Sequence, residues 1–238
     1  MKKIVSLVIV LLLTFISNMF LDFTDNITFF INSKLNNKNN ISHNLSDIPE
    51  YRGFSFVVLN NNEPNFDYNN LSASSFEEYS NLDYLGRAGV AFANISSDLM
   101  PTEERGSIGS VKPSGWHTVK YDNVSGKYLY NRCHLIGFQL TGENANEKNL
   151  ITCTRQMNTV GMLEFENKVA NYIKETNNHV LYRATPIYEN NNLLASGVNL
   201  EAYSIEDNGL GIKFNVFVYN VQNGIDIDYS TGESKLAN

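Results

Sequence analysis

The sequence predicts an α+β domain, a central antiparallel β-sheet with flanking helices. Three observations carry that reading. Short β-branched and aromatic runs recur between Asn-, Asp- and Gly-rich turns, one segment has a clear helical stripe, and a breaker-rich stretch in the middle excludes helix.

At 238 residues, 42% of them hydrophobic, the chain is large enough for one domain with a proper core and an N-terminal appendage. Residues 1–21 open with Lys2 and Lys3 and continue as an apolar run from Ile4 to Ile16, the pattern of an export signal. No small-x-small cleavage site follows, and Ser17 to Leu21 stretch the run towards membrane-span length. The expectation is therefore a secreted protein or one anchored outside the cell through residues 4–21. A buried core helix would show a polar face, which this run lacks. Residues 22–46 are rich in Asn and Ser and read as a linker, leaving 47–238 as the domain.

Within the domain, Phe54 to Leu59 is a strand stopped by Asn60, Asn61 and Asn62. Phe76 to Tyr79 is expected as a short helix and Gly89 to Ile95 as a second strand. Pro101 to Trp116 holds two prolines and three glycines and should be a long loop. Trp116 to Tyr121 and Lys127 to Cys133 flank a turn-rich connection and suggest a hairpin. After a loop at Gly142 to Lys148, Met162, Phe165, Val169 and Ile173 line one face of a helix, with Glu164 and Lys168 paired off it. His179 to Tyr188, Leu193 to Tyr203 and Gly211 to Val221, separated by turns, form a meander.

The net charge of −7 is opposite to the basic footprint expected of a nucleic-acid protein. Its distribution is uneven. Residues 21–83 carry three basic and nine acidic side chains, 84–183 eleven and nine, and 184–238 two and seven. The one mature segment with a positive balance suits brief contact with a polyanion.

That segment contains His134, at the end of a predicted strand, and histidine is the side chain that can take a proton near neutral pH. Alone it is as well explained by a structural role, the role assigned to His43, His117 and His179. Cys133 cannot act with His134 as nucleophile and base, because neighbours on a strand face opposite ways. It reads as a small buried residue behind the site. Two cysteines, Cys133 and Cys153, are too few for a disulfide scaffold or a zinc cluster; whether they pair is left open by their number. Asn149, Asn158 and Glu166 follow at intervals of nine and eight. Asn158 fits either a helix cap or a neutral oxygen ligand for a hard cation.

The run NRCHLIGFQLTGENANEKNLITCTRQMN, with GMLEFENKVANYI behind it and RAGVAFANI and MPTEERGSIGSVKPSGW ahead, resembles the DNA/RNA non-specific endonucleases with a ββα-metal (His-Me finger) site, in their secreted streptodornase-like branch. The likeness extends over about residues 50 to 233. It implies that Asn131, Arg132, Cys133 and His134 occupy the family's D-R-G-H signature, with His134 as general base. Asn131 and Cys133 depart from its aspartate and glycine. It further implies Asn158 as metal ligand, Asn149 as the asparagine that arranges the site, and Glu166 as the acceptor for metal-bound water.

The expected function is then Mg²⁺-dependent hydrolysis of phosphodiesters in DNA or RNA, with Mn²⁺ able to substitute, no small-molecule cofactor, little sequence preference and 5′-phosphate products. Arg155 is the first choice for substrate phosphates, with Arg87 and Arg132 behind it. Two other classes remain: an inactive extracellular DNA-binding module, and a cysteine hydrolase using Cys133 or Cys153.

Overall fold

A computed structural model describes residues 48–68 and 74–237. The export segment and linker expected over residues 1–46 lie outside the described residues. Among the described residues no helix is long and apolar enough to cross a membrane.

Six strands form the main sheet: β1 (Phe56–Val58), β2 (Phe76–Tyr79), β3 (Ala91–Ile95), β6 (Val180–Ile187), β7 (Gly197–Ser204) and β8 (Lys213–Tyr219), in the order β1-β8-β7-β6-β3-β2. Every pairing in it is antiparallel. The expected meander is β6-β7-β8, paired over its full length from Val180↔Ser204 and Gly197↔Tyr219 onward. The turn after β1 runs through Asn60, Asn61 and Asn62, all at positive φ, which asparagine tolerates better than most residues.

Two expectations change. Phe76 to Tyr79 is strand, since the edge of β3 offers it ladder partners from Ala91 to Asn94. The expected hairpin survives as a short stem with the bridge Lys120↔Tyr128. Beyond it the chain leaves its first arm, and β4 (Tyr130–His134) pairs instead with β5 (Leu150–Thr154), from Tyr130↔Thr154 to His134↔Leu150.

Between β4 and β5 lies the four-residue helix α1 (Phe138–Thr141). After β5 a π-helical turn, Met157–Met162, runs into α2 (Leu163–Thr176), which ends on Asn177 at φ 58°. Thus a two-stranded sheet is followed by a helix. The stripe predicted for that helix is the buried one: Met162, Phe165, Val169 and Ile173 are each at most 3% exposed. It packs with Cys133, Ile151 and Cys153 of the β4-β5 pair against Tyr182, Leu200 and Val216 of the main sheet in one core. Phe165 lies edge-on to Phe56 and tilted against Phe214, each at 4.9 Å between centroids. A fully buried side chain of this size contributes about 1.5–3 kcal/mol, so the stripe anchors the helix to the sheet firmly. Short β9 (Ile225–Ile227) and β10 (Ser234–Leu236) pair at the C-terminus.

Candidate active site

His134 ends β4 and is 6% exposed. Its Nε2 lies 2.7 Å from the Asn144 carbonyl oxygen. A carbonyl can only accept, so Nε2 carries the hydrogen, and the neutral ring presents its lone pair at Nδ1. Arg105 Nη2 stands 3.3 Å from that atom, a donor facing an acceptor. Burial, more than any other influence, holds His134 below the usual histidine pKa, and the Arg105 charge works in the same direction against the Asn144 hydrogen bond. The ring is therefore kept neutral, as a base requires.

Arg105 is exposed and was not among the arginines picked from the sequence. The loop carrying it is fixed by Arg132, whose Nε donates to the Val111 carbonyl, whose Nη2 donates to the Gly109 carbonyl at 2.9 Å, and whose guanidinium stacks on Trp116 at 3.9 Å. Arg132 thus holds the loop in place. Arg87 is engaged likewise. It pairs with Asp83 at 2.7 Å, donates to the Asn190 and Asn192 carbonyls at 2.8 and 2.9 Å, and lies over the Tyr188 ring, leaving little of it to meet a phosphate.

Asn149 is wholly buried, and its amide brackets one residue: Oδ1 accepts from Ile136 N at 2.8 Å and Nδ2 donates to Ile136 O at 3.0 Å. It also accepts from Leu135 N through its own carbonyl at 2.8 Å. This side chain faces the backbone that follows His134 and so fixes the turn beside that ring.

Asn158 sits in the π-turn, whose extra residue places it inside the helical entrance instead of capping it; the Leu163 N–H bonds back to the Asn158 carbonyl five residues earlier. Its Oδ1 touches Cys133 Sγ at 3.3 Å. Cys133 and Cys153 are joined as a disulfide, so that sulfur has no hydrogen to give. No N–H or O–H of the described residues is bonded to the Asn158 oxygen, whose lone pairs are open. The disulfide also removes the thiol that a cysteine hydrolase needs, and both cysteines are wholly buried.

Glu166, one turn into α2, has its carboxyl pressed against Gly137, where an added Cβ would stand 2.4 Å from Oε2. Burial is the main influence on it, pushing its pKa up to about 7 despite a hydrogen bond from Gln139 and the charge of Arg105. Arg105 therefore bears on both His134 and Glu166. Arg155 has Nη1 3.4 Å from Asn131 Oδ1 of β4 and a buried Nε without a hydrogen-bond partner. It lines a groove of about 370 Å³ with Gln156 and Thr159, the neighbours of Asn158. His117 and His179 are elsewhere, bonded to the Thr231 carbonyl and the Glu206 carboxylate. His43 lies outside the described residues.

The open oxygen of Asn158 is the kind of donor that a hard divalent cation such as Mg²⁺ accepts, since that ion retains most of its waters. Among the described residues no three His, Cys, Asp or Glu side chains are grouped so as to hold a metal ion.

The sequence could have yielded Arg105. It is the one arginine in the breaker-rich loop of residues 101–116, the kind of loop that carries function. Nothing in the sequence singles out the Asn144 carbonyl, since any residue offers one.

A family model for DNA/RNA non-specific endonucleases matches residues 64–206. Among solved structures, NucA from Streptococcus agalactiae with no metal bound superposes with a TM-score of 0.70 at 27% identity, over 84% of this chain and 95% of that one. The same nuclease with a magnesium ion bound gives 0.70 at 26%, over the same shares. The Sda1 nuclease with a bound zinc ion gives 0.56 at 31%, over 68% of this chain and 81% of that one.

Proposed function

The chain belongs to the DNA/RNA non-specific endonuclease family and is a nuclease, and on that premise we propose that it is a Mg²⁺-dependent, sequence-non-specific endonuclease acting on DNA, exported from the cell. The observation that carries the reading is the fixed tautomer of His134, neutral and with Nδ1 as an acceptor facing Arg105.

In this reading His134 Nδ1 takes the proton of a water, which attacks phosphorus opposite the leaving 3′ oxygen and leaves the phosphate on the 5′ end. Arg105, 3.3 Å from Nδ1, holds a non-bridging phosphate oxygen so that phosphorus faces that water. Asn144 keeps the ring in the productive tautomer, and Asn149 keeps the turn after the base in place. Asn158 and Glu166 would hold the Mg²⁺, with Mn²⁺ as substitute, Asn158 through its open oxygen and Glu166 through coordinated water. The cation would neutralise charge that grows on the phosphate and the leaving oxygen. Arg155 serves a neighbouring phosphate from its groove. Contacts of this kind leave base edges unread, as non-specific cleavage requires.

Residues 1–21 act as export signal or anchor, residues 22–46 as linker and 47–238 as the nuclease domain; a buried disulfide accords with an oxidising destination. Plasmid cleavage by the purified chain tests the reading. We expect cleavage with Mg²⁺, none with EDTA, and a loss of at least about 10² in rate for His134→Ala, with Asn158→Ala also inactive. Activity that survives EDTA or the loss of His134 refutes the mechanism. Salt-sensitive binding without cleavage by the parent chain would identify an inactive DNA-binding module instead.

A further inference from the structure

The Cys133–Cys153 disulfide lies between the parts just described. Cys133 directly precedes His134, and its sulfur touches the Asn158 oxygen at 3.3 Å. Cys153 stands on β5, whose exit leads through Arg155 into the turn that holds Asn158. The two residues are not opposite each other, since Cys133 faces Ile151 and Cys153 faces Asn131. The bond therefore runs diagonally, with 5.8 Å between Cα atoms, within the ordinary span. It resists sliding of β4 along β5 directly. Both sulfurs are in the core with no exposure, so neither can move away without displacing a neighbour.

We propose that this disulfide is a positioning element of the active site and that its reduction switches the nuclease off. The inference rests on the reading of Asn158 as the cation-holding residue. A dithiol reductant gives up two electrons and two protons, the S–S bond breaks, Cys133 and Cys153 become thiols, and the reductant closes its own disulfide. Two consequences meet at Asn158. Sulfurs bonded at about 2.05 Å must separate to non-bonded distance, and a packed core supplies that room only by moving a strand or Asn158 itself. Cys133 also gains an S–H, a donor 3.3 Å from the oxygen that was open to the cation. Reduction thus shifts the ligand and occupies its lone pair. A chain that degrades nucleic acid without sequence preference would remain idle in a reducing cytoplasm and become active where disulfides persist.

The test uses the full chain in oxidised form, after reduction and removal of the dithiol without oxygen, and after reoxidation, together with the double variant Cys133→Ser, Cys153→Ser. Three readouts are taken: Mn²⁺ binding by electron paramagnetic resonance, plasmid cleavage, and circular dichroism with thermal unfolding. We expect reduction to weaken Mn²⁺ binding at least tenfold and to slow cleavage by about 10², the cost of misplacing a group by an ångström, with the β signal and cooperative unfolding retained. Reoxidation should restore both, and the double variant should match the reduced chain and ignore the reductant. Equal Mn²⁺ binding and cleavage in both forms overturns the proposal, as does activity loss that merely follows unfolding. If the oxidised chain cleaves DNA but binds no Mn²⁺ through Asn158, as judged by Asn158→Ala, the ligand reading fails and the switch fails with it. If it cleaves and only the response to reduction is missing, the switch alone is lost.

Discussion

Replacing Asn149 by alanine should cost both stability and rate, and the structure sets the size of each. Its side chain satisfies the N–H and the carbonyl of Ile136, a residue with no exposure, so alanine leaves two buried polar groups unpaired. Each such group costs about 1–3 kcal/mol, or about 2–6 kcal/mol for both, against a total stability of about 5–15 kcal/mol. For a domain of this size that is a fall in melting temperature of roughly 5–20 °C, leaving the variant folded at low temperature. Ile136 is two residues from His134, and release of this turn should also slow cleavage by up to about 10². Thermal unfolding followed by circular dichroism reads the first effect. Plasmid relaxation with saturating Mg²⁺, well below the variant's melting temperature, reads the second. Asn149→Asp should fall between, since it keeps the acceptor for Ile136 N–H but sets oxygen against the Ile136 carbonyl. A melting temperature within about 2 °C of the parent, less than one kcal/mol would produce, refutes the energetic argument. Lost stability with unchanged kcat refutes the idea that Asn149 acts through the base.

Four more outcomes follow from the same geometry. His134 is competent when neutral and its pKa is lowered, so the acid limb of kcat/KM should fall below the ordinary value of about 6.5, and Arg105→Gln should move it upward by removing a charge that opposes the imidazolium. The same sign governs folding: this depressed pKa contributes stability above the unfolded value that is lost as pH falls through the folded one, measurable as melting temperature against pH. Gly137→Ala puts a Cβ 2.4 Å from Glu166 Oε2, so the Mg²⁺ concentration for half-maximal cleavage should rise severalfold, with a smaller change in melting temperature. Arg132→Ala frees the loop from its two carbonyl bonds and from Trp116, and trypsin should then cut after Arg105 much faster than in the parent, with kcat reduced about tenfold.

The strands of the meander and the stripe of α2 were legible because periodicity reports burial directly. The stop after β1 was legible because three asparagines mark a turn. Phe76 to Tyr79 was misread because four residues carry no period, and their state is decided by the open edge of β3 far along the chain. The hairpin was misread for a related reason: the residues after Leu129 had a better partner in β5 than in their neighbours. At the candidate site, His134, Asn158 and Glu166 stand out by residue type, spacing and resemblance. How far Arg87 and Arg132 are engaged is not written in the sequence, since an arginine bonded to carbonyls and stacked on rings is spelled the same way as a free one. The Asn144 carbonyl, which fixes the tautomer of the base, belongs to the backbone and leaves no mark in the sequence.

The π-turn before α2 has an implication for how such a site can be gained or lost. Its six residues include one more than a regular helix would use, and Val160, 57% exposed, is the dispensable one, whereas a Cβ on Gly161 would stand 2.3 Å from Val218. Deleting Val160 would let the turn relax into ordinary helix, keep the stripe of α2 seated, and swing Asn158 by about 100° away from its place. One residue added to or removed from this turn is thus enough to place or displace Asn158 while the fold around it stays intact.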